Sequence, residues 1–331
     1  MSRIALVTDS TAALSPVQAA DLDVRVVPLH VLVDGDAFAE GIDIDTEVVL
    51  EKLRQRRAVS TSRPSPAAML AVYEELAAGG AQEIVSAHLS AQLSGTCEAA
   101  QLAARDAPIP VHVVDSRSAG AGLGIAVAEG ARLARGGATA RDVARAIEAR
   151  ARGATVLFYV HSLDQLRRGG RIGAAAGLLG GALAIKPLLA LTDGHIEPVE
   201  RLRTSSRAVA RLTELASHAV REAADHEAED EARDAVAVGA DSALDGDAGL
   251  GADTERGADT ERGADTEFDG EPALEIVVHH ADARERAESV ASALDAVVAP
   301  GDPPVRILDL PAVLTVHLGP GTVAVVISPR R

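Results

Sequence analysis

The sequence predicts an α/β fold of two domains: an N-terminal, mainly parallel sheet flanked by helices, and a C-terminal α+β domain with a largely antiparallel sheet. Up to about residue 160, short apolar runs alternate with helical segments, a pattern typical of strand–helix–strand units. After residue 160, two apolar runs are joined by Asp193-Gly194, which is a strong hairpin signal. We therefore place the N-terminal domain at 1–160 and the C-terminal domain at 161–331.

The first half supplies the elements of the parallel sheet. Ser15-Pro16 and Ser65-Pro66 each place a serine N-cap before a proline at the first helical position, and Asp45 or Thr46 precedes a third helix. Strands are expected at 3–8, 24–33, 83–89, 110–115 and 155–160, and helices after Ser15, at 46–56, from Ser65 to about 76, and near 95–105, 119–135 and 139–151.

The second half begins with a small-residue segment at 174–192, which is the nearest approach to a membrane span. Lys186 and Pro187 interrupt it, so we expect a buried helix followed by a strand. The remaining elements are a hairpin within 184–203, a helix at about 204–224, and strands near 274–280, 304–309 and 322–328.

An acidic segment at about 222–271 interrupts this half. It holds 18 Asp and Glu against 3 Arg and contains the repeats GADTER, GADTER and GADTEF between residues 251 and 268. Such a composition has too few large apolar residues to offset the entropy of ordering, so we expect a disordered insertion in a loop. The alternative interpretation is a docking segment for a basic partner.

Composition narrows the function further. Aromatic residues make up 2% of the chain, and most of the net charge of −17 belongs to the acidic segment, so neither base stacking nor a broad basic face favours nucleic acid as a partner. One cysteine excludes an internal disulfide framework and a cysteine-based zinc site. The N-terminus does not resemble a signal peptide, and we expect a cytoplasmic protein that meets membranes only transiently.

Polar residues gather at four predicted strand ends or helix starts: 9–11, 60–65, 90–96 and 115–116. Ligands of open α/β sheets bind outside the carboxyl ends of the strands, and hydroxyls beside the free N–H groups of a helix start suit an anion. The competing interpretation for Ser65 and Ser94 is a simple helix cap.

The stretch SAQLSGTC at 90–97 is the most specific of these. It lacks the lysine of a P-loop, and Ser94 lacks the preceding glycine of a nucleophile elbow, although a Ser94 hydrolase using His317 or His88 and a small-molecule kinase remain open. Cys97 is interpreted as a small buried residue. In the second half, Arg171, Arg203 and the turn at 317–321 suit a carboxylate or phosphate, unless the arginines are simply solvated.

Nine motifs in a fixed order resemble those of the DegV family of bacterial fatty-acid-binding proteins, nearly end to end except for the acidic segment. They are TDST at 8–11, VVPL at 26–29, TSRPS at 61–65, LSAQLSGT at 89–96, VDS at 114–116, GGRIG at 169–173, IKPLL at 185–189, DG at 193–194 and HLGPG at 317–321.

The resemblance implies a non-catalytic carrier of the EDD fold, with one long-chain fatty acid in an apolar tunnel between two domains and with neither cofactor nor metal. It implies that a separate ATP-dependent fatty acid kinase converts the bound acid to an acyl phosphate. By motif, Thr61, Ser94 and His317 would hold the carboxylate. Secondary ligand or partner contacts would come from Ser62, Gly95, Thr96, Arg171, Arg203 and His280.

Overall fold

The computed structural model describes residues 3–178, 185–242 and 274–330. The strands are β1 (Ile4–Asp9), β2 (Val24–Val27), β3 (His30–Val33), β4 (Asp36–Ala39), β5 (Val59–Ser62), β6 (Glu83–His88), β7 (Val111–Asp115), β8 (Thr155–Tyr159), β9 (Lys186–Thr192), β10 (His195–Leu202), β11 (Leu274–Ala281), β12 (Arg306–Asp309) and β13 (Thr322–Pro329). The α-helices are α1 (Pro16–Asp21), α2 (Thr46–Arg54), α3 (Pro66–Ala78), α4 (Thr96–Asp106), α5 (Ala121–Arg135), α6 (Ala140–Gly153), α7 (Asp164–Arg168), α8 (Ser205–Ser242), α9 (Arg284–Asp295) and α10 (Ala312–Leu318).

These strands form three sheets. The first, in the order β2-β1-β6-β7, is parallel throughout, and a small antiparallel sheet of β4-β3-β5 lies within the same half of the chain. The third has the order β10-β9-β8-β13-β11-β12 and is antiparallel except between β11 and β12. The predicted fold class is therefore confirmed.

The predicted local signals are also seen. Ser15 forms a reciprocal capping box with Gln18, and the side chains of Asp45 and Ser65 accept from backbone N–H groups in the first turns of α2 and α3. In the turn between β9 and β10, Asp193 has φ 49° and Gly194 has φ 84°, the left-handed conformations that a tight hairpin needs. The hairpin predicted there is confirmed.

Two strand predictions need correction. Residues 24–33 were expected to form one strand, but β2 and β3 belong to different sheets, because Pro28 between them has no N–H to donate to a ladder. Strand β8, which the division at residue 160 assigns to the N-terminal domain, pairs with β9 and β13 of the large sheet. The division itself stays a prediction.

The acidic segment differs from its prediction over its first part. Helix α8 continues to Ser242, so residues 222–242 are helical rather than irregular. Alanine and glutamate, which are both strong helix formers, make up 11 of the 21 residues of this stretch, which explains the continuation. The GADTER repeats lie outside the described residues.

The core brings distant parts of the chain together. Helix α10, from the second half, packs on α2, β3 and β5, so that Val313 and Val316 join the same apolar cluster as Leu29 and Val31. Helices α5 and α6 contact strands of both large sheets. This packing places the ends of β5 and α10 side by side, and these two elements carry two of the predicted site residues.

Candidate ligand-binding cavity

A cavity of about 420 Å³ lies where the two halves of the chain meet. This volume falls within the range of about 300–1,000 Å³ that is usual for ligand sites. Its apolar walls are Leu29, Leu89, Leu93, Ala119, Val156, Phe158, Leu166, Leu191, Ile196, Leu310, Val313, Leu314, Leu318, Ala324 and Val326. Of the small-residue segment at 174–192, Leu191 is the described residue that lines the cavity.

Most of the predicted site residues line this cavity. They are Thr61, Ser62, Ser94, Gly95, Arg171 and His317. The structure brings these residues together from β5, the loop before α4, the loop after α7 and the end of α10, over sequence separations as large as 256 residues.

Thr61 and His317 form the central pair, with 2.8 Å between Thr61 Oγ1 and His317 Nε2. Burial, helped by the charge of Arg171, lowers the pKa of His317 to about 4, so its imidazole is neutral at neutral pH. Nδ1 is buried and has no hydrogen-bond partner among the residues that the structure describes. An unpaired buried N–H is costlier than an unpaired lone pair, so we assign the proton to Nε2. The imidazole then donates to Thr61, whose own O–H is free to donate into the cavity.

Gly169 makes room for this imidazole. A Cβ at residue 169 would lie 2.2 Å from His317 Nδ1, far closer than two such atoms can approach. Packing against the His317 imidazole therefore explains the first glycine of the GGRIG motif.

Ser94 does not cap a helix. Its Oγ is 2.9 Å from Thr96 Oγ1, while the N-cap of α4 is Gly95, which provides no side-chain hydrogen bond. The N-cap thus gives the first turn of α4 no side-chain acceptor, and Gly95 itself lines the cavity. The cap interpretation is wrong for Ser94 and correct for Ser65.

Two arginines flank this polar end. Arg171 donates from Nε to the Leu93 carbonyl at 3.0 Å and from Nη1 to the Gly169 carbonyl at 2.5 Å, which holds its charge beside the cavity. Arg63 lines the cavity too, and its Nη1 donates to the Gly95 carbonyl and to Glu98. Sequence reasoning did not include Arg63 among the site residues, although it lies within the TSRPS motif.

Three secondary candidates lie elsewhere. Arg203 is exposed and does not line the cavity, and Thr96 is buried behind Ser94. His280 lies on the other face of β11, with its Nδ1 3.5 Å from Asp309, and faces a groove beside α2 and α9.

His279, rather than His280, is the histidine of β11 that faces the cavity. Its Nε2 accepts from the Ala121 N–H at 3.0 Å, and its Nδ1 is 3.3 Å from the Asp309 carbonyl. Burial lowers its pKa to about 4. Alternation along the strand guarantees that only one of the two neighbours faces the cavity, but which one depends on the register.

The other two polar stretches support loops. Asp9 accepts from the backbone and hydroxyl of Thr11 and from the Leu89 N–H, and Asp115 accepts from the N–H groups of Ala91 and Arg117. Neither aspartate lines the cavity. Of the four polar stretches, therefore, 60–65 and 90–96 contribute residues to the cavity, and 9–11 and 115–116 do not.

The geometry does not pair Ser94 with a histidine. His317 contacts Thr61, and His88 contacts Ser86 at 2.8 Å and Asp9 at 3.1 Å. The Ser86–His88–Asp9 chain has the order of a catalytic triad, but all three residues are fully buried and lie away from the cavity. A serine nucleophile needs a base within hydrogen-bond reach, which Ser94 lacks among the described residues.

Three further observations concern the single cysteine, membrane-spanning helices and metal sites. Cys97 is buried, and burial raises the pKa of its thiol, as suits a packing residue. Within the ranges 3–178, 185–242 and 274–330, no helix is long and apolar enough to cross a membrane, and no group of three or more His, Cys, Asp or Glu side chains could hold a metal ion.

The sheets and the cavity define an α/β protein with an apolar cavity that carries hydroxyl, imidazole and guanidinium groups. The family model "Uncharacterised protein, DegV family" matches residues 3–243, and the chain belongs to the DegV family. A DegV domain-containing protein of Streptomyces coelicolor is 40% identical over 332 residues, covering 100% of both chains.

Solved structures of DegV family proteins share this fold. A DegV family protein from Thermus thermophilus, described by its fatty acid binding, is 28% identical with a TM-score of 0.77 over 99% of both chains. A DegV family protein from Corynebacterium glutamicum is 26% identical with a TM-score of 0.72, covering 100% of this chain and 99% of the other.

Proposed function

We propose that this protein binds one long-chain fatty acid, with the alkyl chain in the cavity and the carboxylate at its polar end. The observation that carries the proposal is the division of the cavity lining into apolar walls and a set of polar residues that includes Thr61, Ser94 and His317, with Arg63 and Arg171 beside them. The fatty acid binding described for the Thermus thermophilus relative supports the same ligand class.

The energetics fit this ligand. Burial of the tail contributes about 0.8 kcal/mol per CH₂, and apolar walls need no polar recognition of the chain. At the other end, the Thr61 and Ser94 hydroxyls can donate to the carboxylate. The uncapped start of α4 and the charge of Arg171 stabilise it without a full salt bridge.

The ligand is proposed to be carried rather than transformed. In the described part of the chain, no base lies within hydrogen-bond reach of Ser94, and the Thr61 and Ser94 hydroxyls would act as donors to the carboxylate rather than as nucleophiles. As the resemblance implies, the partner would be a fatty acid kinase, and the exposed Arg203 is available for its docking. The buried, unpaired Cys97 suits a reducing cytoplasm.

Lipid extraction tests the ligand directly. Protein purified from a bacterial host is denatured, and released lipids are identified by mass spectrometry. We expect about one long-chain fatty acid per chain, and a large loss of it in the double variant Thr61→Val with Ser94→Ala. Repeated preparations of correctly folded protein without fatty acid would overturn the proposal.

A second experiment tests the partner. Lipid-loaded protein is incubated with a bacterial fatty acid kinase and Mg-ATP, and acyl phosphate is trapped as the hydroxamate. We expect product with the natural chain, less with Arg203→Glu, and no change with the control Arg141→Glu, which lies on α6. Product that forms equally with both variants would remove Arg203 from the docking surface.

A further inference from the structure

A cluster of three cationic or basic side chains, His161, Lys186 and Arg286, lies apart from the cavity. They come from the loop after β8, the start of β9 and the start of α9, and none of them lines the cavity. Within the part of the chain that the structure describes, neither Lys186 nor Arg286 has a carboxylate oxygen within 4 Å. Among the described residues, the Lys186 ammonium and the Arg286 guanidinium thus adjoin without a paired carboxylate.

Neutral groups hold Lys186 in place. Its Nζ donates to the His161 carbonyl at 2.9 Å and lies 3.1 Å from His161 Nε2. An ammonium group has three hydrogens, so these two acceptors leave one for a ligand. The arrangement orients the ammonium group without neutralising it.

The second ring nitrogen of His161, Nδ1, is also held by a neighbouring side chain. This Nδ1 is 3.4 Å from the Tyr159 hydroxyl, which donates to Ser205 Oγ at 2.8 Å. With Lys186 donating to Nε2, the proton of the neutral ring is on Nδ1 and points to Tyr159. The chain Lys186–His161–Tyr159–Ser205 therefore runs in one donor direction and stiffens the cluster.

Arg286 approaches the same place across Gly321. A Cβ built at residue 321 would lie 3.4 Å from His161 Cβ and 3.8 Å from Arg286 Nη1, so the guanidinium and the imidazole flank this glycine. Burial first, then the neighbouring Arg286, lowers the pKa of Lys186, and burial, Lys186 and Arg286 lower that of His161. In the adjacent groove, Asp282 is already paired with Arg54 at 2.8 Å.

We propose that His161, Lys186 and Arg286 form a binding site for a phosphate group, supplied as inorganic phosphate or as a phosphate monoester. A guanidinium and an ammonium together match the double negative charge of phosphate and its several acceptor oxygens. Because the site lies outside the cavity, it does not depend on fatty acid binding.

Calorimetry on the full, lipid-loaded protein tests the site with inorganic phosphate and with glycerol 3-phosphate, against chloride at the same ionic strength. We expect saturable binding that Lys186→Gln and Arg286→Gln each weaken by about tenfold or more. The control is Arg284→Gln on the same helix, whose guanidinium is paired with Glu288 at 2.9 Å. Tighter binding of the ester identifies a monoester site, and equal binding identifies a site for free phosphate.

NMR titration of the His161 ring gives a second readout. A phosphate beside it offsets the charges of Lys186 and Arg286, so its pKa should rise when phosphate is added and not when chloride is added. Three results would each overturn the proposal. They are phosphate binding no tighter than that of chloride, a loss of phosphate affinity in Arg284→Gln equal to that in Lys186→Gln and Arg286→Gln, or a His161 pKa that does not change when phosphate is added.

Discussion

At the scale of single residues, the hydrogen bond between Thr61 and His317 links the two halves of the chain at the cavity. Thr61 lies on an antiparallel strand of the first half and His317 in the last turn of α10, and 2.8 Å separates Oγ1 from Nε2. Since His317 is held neutral, it orients the threonine hydroxyl rather than offering a charge. In the proposed complex, Thr61 contacts the carboxylate directly and His317 positions the Thr61 hydroxyl.

Thr61→Val tests this division of roles, because valine keeps the shape and removes the hydroxyl. Loss of a hydrogen bond to a charged group costs about 1.5–3 kcal/mol, so we expect fatty acid affinity to fall by about tenfold to a hundredfold. Displacement of a fluorescent fatty acid measures it. The control is Thr213→Val, a half-buried threonine bonded to the Val209 carbonyl away from the cavity. Equal affinities for the two variants would contradict the role.

Gly169→Ala tests the positioning of His317. The added methyl would lie 2.2 Å from Nδ1, so the imidazole must move and the Thr61 contact must break. We expect weaker fatty acid binding in the same displacement assay. Gly177→Ala is the matched control, since a Cβ there meets nothing within 4 Å. An unchanged affinity in Gly169→Ala would mean that the His317 ring is free to shift.

Residue types at this site were predictable, but their orientation was not. Motif order led to Thr61, Ser94 and His317, all of which line the cavity. His279 lines the cavity and His280 does not, because adjacent strand residues face opposite sides, and the register of β11 against β13 is set by contacts far along the chain. The role of His280 as a secondary contact stays a prediction.

At the scale of elements, the start of α4 is the feature that the proposed binding mode depends on most. Its N-cap is Gly95, and the helix carries no side-chain cap. A carboxylate ligand would supply that missing acceptor. The proposed ligand would thus provide the hydrogen-bond acceptor that the N-cap of α4 lacks.

Gly95→Asp, compared with Gly95→Asn, tests this. Both side chains can cap α4, and Arg63, whose Nη1 would be 1.9 Å from the new Cβ, must move aside in both. The aspartate also repels a ligand carboxylate. We expect a melting temperature of delipidated protein that is unchanged or slightly raised in both variants, and weaker fatty acid binding with Asp than with Asn. Equal binding would show that the ligand charge lies elsewhere.

Local signals predicted elements well where the cause was local. Ser15, Asp45 and Ser65 mark helix starts because their side chains bond within the next turn. Strand β8 shows the limit, because its sheet is decided by pairing with β13, more than 150 residues away along the chain. The extension of α8 into the acidic segment was missed because low apolar content was weighed above helix propensity.

At the scale of the whole molecule, the cavity exists because α10 returns to the first half while β8 leaves it for the large sheet. No single segment is apolar enough to indicate it, and its walls are drawn from elements throughout both halves. Sequence periodicity cannot distinguish such walls from ordinary core, so the cavity had to be inferred from family resemblance and not from pattern.

The buried histidines of this cavity make stability depend on pH. His279 and His317 have pKa values of about 4 in the folded protein, below the value of about 6.5 for an exposed histidine, so between these values the unfolded chain binds more protons. The contribution of these two neutral histidines to the free energy of unfolding should therefore be fully present above pH 6.5. The free energy of unfolding should fall by about 2 kcal/mol per histidine on going from pH 7.5 to pH 5.

Urea unfolding of delipidated protein at these two pH values measures the effect. His279→Gln should reduce the difference, because the amide can still bond to Ala121 and Asp309 but does not titrate; the exposed His218→Gln is the control. Buried Glu40, whose pKa is raised by desolvation, acts in the opposite direction and gains stability on acidification. A difference that is identical in His279→Gln and in the natural chain would mean that His279 accepts its proton without unfolding.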